Sequence, residues 1–225
     1  MESIFWIAQT SFQIPGNNDW LSEAEQRVLA GFRFAKRSND WRLGRWTAKR
    51  AILACRAGMD SPVQSLEIRA ARDGAPEAFC EGEPAGVSIS ISHSRDRSFC
   101  AVMPSGGAIG CDLEWIELRE ENFAADYFTP EEISIVRKSP QDASLTVNLI
   151  WSAKESVLKA VRMGLSRDTR SVLIRPELEG GEGSWNAWSG RCLVSSRLFH
   201  GWWRMVGGFV YTIASDQSTS PPQEL

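Results

Sequence analysis

Asp112 and Glu114 stand two residues apart in "GCDLE" (110–114), and Glu155 stands in "WSAKESVLKA" (151–160) beside Lys154, with Lys159 one helical turn further on. Three carboxylates supply hard oxygen donors, which suit Mg²⁺ because that ion keeps several waters and binds substrate phosphates as well as protein acids. On a helix at ~100° per residue, Val147, Ile150, Trp151, Leu158 and Val161 gather on one apolar face, and Lys154 falls in the middle of it. A charge there is costly to bury unless something anionic meets it. Glu155 and Lys159 form an i,i+4 pair on the flank of the same helix.

The elements that carry these side chains follow from pattern. "AIGCDLEWI" alternates as a strand, with Ile109, Cys111, Leu113 and Trp115 on one face and Gly110, Asp112 and Glu114 on the other. Taken alone, two acids at i and i+2, roughly 7 Å apart or less, read first as a solvent-facing edge. Gly110, which clears space beside them, and a further acid offered by a helix favour a cation site. From Asp40, "DWRLGRWTAKRAILACRAG" reads as a helix on which Arg42, Arg45, Lys49 and Arg56 fall within an arc of roughly 60°, with Lys36 and Arg37 just before it. A plain solvated face is one reading. Trp41 and Trp46 bracket the stripe, however, and a phosphorylated ligand fits that setting. "VSISISHS" is a further alternating strand, closed by His93 between two serines, which is open to a structural role or to an anion contact.

The chain echoes itself. "WTAKRAILACRAG" from Trp46 resembles "WSAKESVLKAVRMG" from Trp151 at an offset of about 105 residues. "LSEAEQRVL" resembles "FTPEEISIV", and Ser22/Glu25 and Thr129/Glu132 are spaced as capping boxes. "SLEIRAARDG" matches "SVLIRPELEG", and "FCAVMPS" matches "FVYTIAS". Four matches in one order argue for a duplicated unit, joined near "PSGGA" (104–108). We expect an α+β fold of two strand–helix–helix–antiparallel-sheet halves, residues 1–107 and 108–215, with the polar, proline-containing segment 216–225 disordered. Lys49 of the basic half corresponds to Lys154 of the acidic half, whereas Arg50 stands where the other has Glu155, as a site shared between diverged halves requires.

The 225 residues carry a net charge of −3, so no global field favours nucleic acid or an anionic membrane. Five scattered cysteines without C-x-x-C and only two histidines point away from zinc or a disulfide framework. "MESIFWIAQTSF" has neither a basic leader nor a long apolar run, so the expectation is a cytoplasmic protein.

The pair "GCDLE" and "WSAKESVLKA" resembles the signature of the 4′-phosphopantetheinyl transferase superfamily. "DWRLGRWTAK" (40–49), "DGAP" (73–76) and "ISHS" (91–94) resemble its larger, surfactin-synthetase-activating branch, a monomer of two similar halves with the active site between them. The resemblance implies transfer of the phosphopantetheine arm of coenzyme A to a serine of an acyl or peptidyl carrier domain, releasing adenosine 3′,5′-bisphosphate. It implies that Asp112, Glu114 and Glu155 hold Mg²⁺, that Lys154 and Lys159 contact phosphates, and that Glu155 takes the serine proton directly or through a water. Arg45, Lys49, Lys36, Arg37, Ser92 and His93 would lie near the adenosine 3′-phosphate. Gly74 and Pro76 would meet the adenine, although the family's turn often reads G-K-P where this chain has Gly74-Ala75-Pro76. One rival is a coenzyme-A- or carrier-binding module without catalysis, which has no need of all three acids. Another is a Mg²⁺-dependent nuclease, which needs a more extended basic surface than this chain offers.

Overall fold

The computed structural model describes residues 2–56, 61–139, 142–162 and 168–225. The first half runs β1 (Phe5–Thr10), α1 (Glu23–Ala30), α2 (Ala35–Cys55), β2 (Leu66–Ala70), β3 (Pro76–Cys80), β4 (Glu83–Pro84), β5 (Ser88–Ser94) and β6 (Arg97–Met103). The second runs β7 (Ile109–Trp115), α3 (Phe123–Tyr127), α4 (Pro130–Lys138), α5 (Ala143–Ala160), β8 (Val172–Pro176), β9 (Asn186–Cys192), β10 (Leu198–Val206) and β11 (Phe209–Ser215), followed by the short β12 (Gln223–Glu224).

The mixed α+β class and the duplication expected from the sequence are both present. Antiparallel pairing of β1 with β6 and of β6 with β5 is repeated by β7 with β11 and β11 with β10, and β2–β3 is repeated by β8–β9. The halves differ at one seam. In the second, all five strands form one sheet in the order β7-β11-β10-β9-β8, whereas in the first β2-β3-β4 is separate from β12-β1-β6-β5. Each half buries its long helix on its own strands: Ala48, Ile52, Leu66, Ile89 and Val102 form one core, Leu149, Val157, Ile174, Trp188 and Phe199 another. A third core, built around Trp6, Phe99, Leu113, Tyr211 and Ile213, lies where β1 and β6 meet β7 and β11 and joins the halves. The face of β7 assigned to the core by its alternation, with Ile109, Cys111 and Leu113, lies in it.

The capping boxes do more than start helices. Ser22 and Thr129 each accept from the backbone N–H three residues on, and Glu25 and Glu132 return the contact to the cap. The glutamates then reach further, in the same way in both halves. Glu25 accepts from Ile68 N–H at 3.0 Å and pairs with Lys49 Nζ at 2.5 Å; Glu132 accepts from Ile174 N–H at 2.7 Å and pairs with Lys154 Nζ at 2.8 Å. Lys49 also donates to Trp20 O, and Lys154 to Thr169 O and Val172 O. Both lysines have no exposed surface. Burial pulls each lysine's pKa below its ordinary value, and the paired glutamate opposes that pull. One ion pair, repeated, thus pins helix to helix and helix to strand.

Residues 216–225 depart from the expectation of disorder. Phe5 and Trp6 pair in parallel with Gln223 and Glu224, Leu225 N–H donates to Trp6 O, and Trp202 Nε1 donates to Thr219 Oγ1. The segment is polar, but the edge of β1 offers backbone partners that composition does not reveal. Among the described residues, no helix is long and apolar enough to cross a membrane.

Candidate functional site

Gly110 brings the acidic strand and the acidic helix together. A Cβ there would lie 1.9 Å from Ser156 O and 2.7 Å from Ala160 N, so only glycine lets α5 rest directly on β7. Its role is thus close helix packing, where the sequence reading gave it the task of clearing space beside the acids. With α5 seated, Asp112 becomes a hub. Its Oδ1 accepts from Ser92 Oγ at 2.8 Å and from Lys159 Nζ at 2.8 Å, and its Oδ2 accepts from Ser152 Oγ at 2.8 Å. Thr212, opposite Asp112 on β11, shares hydrogen bonds with Ser152 and Ser156 at 2.8 and 2.7 Å. Glu114 accepts from Trp151 Nε1 at 3.0 Å and from Arg119 Nη2 at 2.9 Å, and Arg119 Nε donates to Asn148 Oδ1.

Glu155 is different. It is only 9% exposed, and its Oε1 is buried without a hydrogen-bond partner. Burial first, and then the neighbouring charge of Asp112, push its pKa up to about 7; Lys159 opposes this and Glu114 adds to it. Glu114 is raised as well, by burial and by Asp112. Glu155 and Glu114 therefore both feel the charge of Asp112. Among the described residues no three His, Cys, Asp or Glu side chains form a ready metal cage, and protein donors meet both oxygens of Asp112 and of Glu114. The donor chemistry nevertheless fits a hard divalent cation. A buried, unpartnered carboxylate oxygen beside two further carboxylates is the arrangement a cation relieves.

A cleft of about 1000 Å³ runs between the halves. One wall is the β2–β3 turn with Gly74 and Pro76, another the join at Gly106 and Gly107, and a third the end of α5 with Lys159. Gly74 turns the chain at φ +84°, a conformation glycine adopts without penalty. Lys159 connects the two features, since it lines the cleft while its Nζ rests on Asp112 and on Cys111 O.

The remaining sequence candidates divide. Ser92 joins the acid cluster, donating its hydroxyl to Asp112, where an anion contact was expected. His93 is exposed, 3.9 Å from the Asp40 carboxylate. Lys36 and Arg37 are exposed in the first turn of α2, which begins at Ala35, ahead of the Asp40 start read from the sequence, and Arg37 lies over Phe32. Arg45 stacks 4.8 Å from the Trp41 ring, and Arg42 donates to Pro15 O and Asn17 O. None of these lines the cleft. Lys154 and Lys49 require correction: both are enclosed by a glutamate and by carbonyls, with no surface left to meet a phosphate. Ser152, Thr212 and Arg119 also support the acids, and Trp151, read from the sequence as part of the apolar helix face, donates to Glu114. Trp151 and Ser152 sat inside the quoted motif, whereas nothing in the sequence marked Arg119 or Thr212.

Residues 108–188, the stretch holding β7, α5 and the acids, match the family model described as 4′-phosphopantetheinyl transferase superfamily. No curated protein matches the chain. A solved structure of the Thermotoga maritima holo-[acyl-carrier-protein] synthase resembles it at 17% identity, over 56% of this chain and 74% of that one, with a TM-score of 0.36.

Proposed function

We propose that the protein, whose residues 108–188 match the 4′-phosphopantetheinyl transferase superfamily model, moves the phosphopantetheine arm of coenzyme A onto a serine of an acyl or peptidyl carrier domain. The serine Oγ forms a bond to the phosphorus that bears pantetheine, and the bond from that phosphorus to the bridging oxygen breaks. Adenosine 3′,5′-bisphosphate leaves with that oxygen. Glu155 takes the serine proton, directly or through a water. Lys159 stands at the cleft wall with its ammonium on Asp112, where it is placed to offset charge growing on the leaving phosphate. Ser92 and Ser152 hold the Asp112 carboxylate in orientation. Asp112 and Glu155 would hold Mg²⁺, with Glu114 completing the set once it releases Trp151 or Arg119, and the ion would neutralise and orient the diphosphate.

The observation that carries this reading is the unpartnered oxygen of Glu155 beside Asp112, connected to the inter-half cleft by Lys159. A module that only bound coenzyme A would gain nothing from a buried carboxylate left unsatisfied. Lys154 and Lys49 take no part in the proposal, and Lys36, Arg37, Arg45 and His93 enter only as candidates for steering an anion towards the cleft. The shared core between the halves supports a monomer. The test is incubation of an apo carrier domain with coenzyme A, Mg²⁺ and the protein, followed by intact-mass measurement. The carrier should gain one phosphopantetheine with the wild type and none with E155Q, which should still bind coenzyme A. Full activity of E155Q would remove Glu155 from its role.

A further inference from the structure

Arg162 follows α5 with its backbone in the left-handed region, at φ +57°. Val161 N–H donates to Val157 O and Arg162 N–H to Lys159 O, so the residue closes the helix. Glycine is the usual occupant of that position because it reaches positive φ without steric penalty. An arginine there is locally unfavourable, and its side chain supplies the compensation. The guanidinium crosses the cleft: Nε donates to Asp73 Oδ2 at 2.7 Å, and Nη2 donates to Asp73 Oδ1 at 3.2 Å and to Glu77 Oε1 at 2.7 Å. Asp73 is itself oriented by accepting from Ala75 N–H at 3.1 Å.

These contacts join the end of the helix that carries Glu155 and Lys159 to the β2–β3 hairpin of the other half, two walls of one cleft. Among the described residues, β2-β3-β4 shares no strand pairing with the rest of its half and is held by packing and by Glu25 at Ile68 N–H, whereas its counterpart β8–β9 is part of a continuous sheet. The side chains of Arg162, Asp73 and Glu77 are 46%, 36% and 41% exposed, so water can enter as the contact opens.

We propose that Arg162, Asp73 and Glu77 form a latch across the cleft, which holds the β2–β3 wall against the end of α5 and slows escape of a bound ligand. Arg162 is a positioning residue and touches no reacting atom. That the ligand is coenzyme A rests on the function proposed above; the hold on the hairpin does not.

Two readouts on the full chain test the latch: hydrogen exchange over residues 66–80, and the dissociation rate of coenzyme A by stopped flow. R162G removes the guanidinium while relieving the backbone, so a general loss of folding is not expected, and D73N/E77Q removes the acceptors' charge independently. Hairpin exchange should accelerate about tenfold in both, equivalent to about 1.4 kcal/mol, with coenzyme A leaving faster by a similar factor. R162K should restore part of each effect. Unchanged hairpin exchange in both variants overturns the latch. Faster exchange with an unaltered dissociation rate overturns its role in retention. If coenzyme A binds no form of the protein, the substrate reading fails, while hairpin exchange still decides the latch.

Discussion

Glu155 and Lys154 are neighbours in sequence with opposite fates. The glutamate carboxylate, raised from an ordinary 4.5 to about 7 by burial and by Asp112, favours its protonated form in the folded protein. Its contribution to stability is therefore complete below about pH 4.5 and is lost as pH rises through about 7. In metal-free buffer the melting temperature should fall across that window; E155Q should flatten the fall, and Mg²⁺ should reverse it in the wild type. An identical pH profile for E155Q and wild type would contradict the assignment. Lys154, by contrast, is held by Glu132 inside the second half. Replacing it by Met strands a buried carboxylate, a change expected to cost about 3–5 kcal/mol, and the E132Q/K154M pair, which removes the charge but keeps an acceptor for the cap and for Ile174 N–H, should recover part of that. Denaturant unfolding reads both. A K154M variant of unchanged stability that only binds coenzyme A more weakly would return the residue to the phosphate-contacting role.

At the scale of elements, the site exists because α5 lies directly on β7. G110A places a methyl against the Ser156 carbonyl and the Ala160 amide, both backbone atoms that cannot swing aside. Such overpacking typically costs about 1–3 kcal/mol, and it should also move Glu155 away from Asp112 and lower transfer activity. Thermal melts and carrier labelling of one preparation check the two effects together; loss of neither would show that the close approach is dispensable. The alternation of β7 and the capping boxes were legible because they are local. The target of the capping glutamates was not. A helical projection shows that Lys154 faces the core and needs an anion, yet it cannot show that Glu132 has an oxygen to spare after capping. Two members of the basic stripe of α2 were hidden for a related reason: Arg42 meets carbonyls of the 15–17 loop and Lys49 meets Glu25, partners far off in sequence.

At the scale of the molecule, duplication accounts for both the architecture and its asymmetry. The repeat was readable because each half retains the same cap, ion pair and strand contact, at Glu25, Lys49 and Ile68 and at Glu132, Lys154 and Ile174. The fate of residues 216–225 was not readable, since a strand partner at the edge of β1 leaves no trace in composition. Divergence left acids on β7 and α5 of one half, and in the other a hairpin that meets the end of α5 across the cleft. The most direct measurement is the position of a divalent cation in crystals grown with coenzyme A and Mn²⁺, located by its anomalous scattering. The peak is expected in contact with Asp112 and Glu155, on the side of α5 that faces the cleft. A well-ordered coenzyme A with manganese bound elsewhere, or with none near these two carboxylates, would contradict the account.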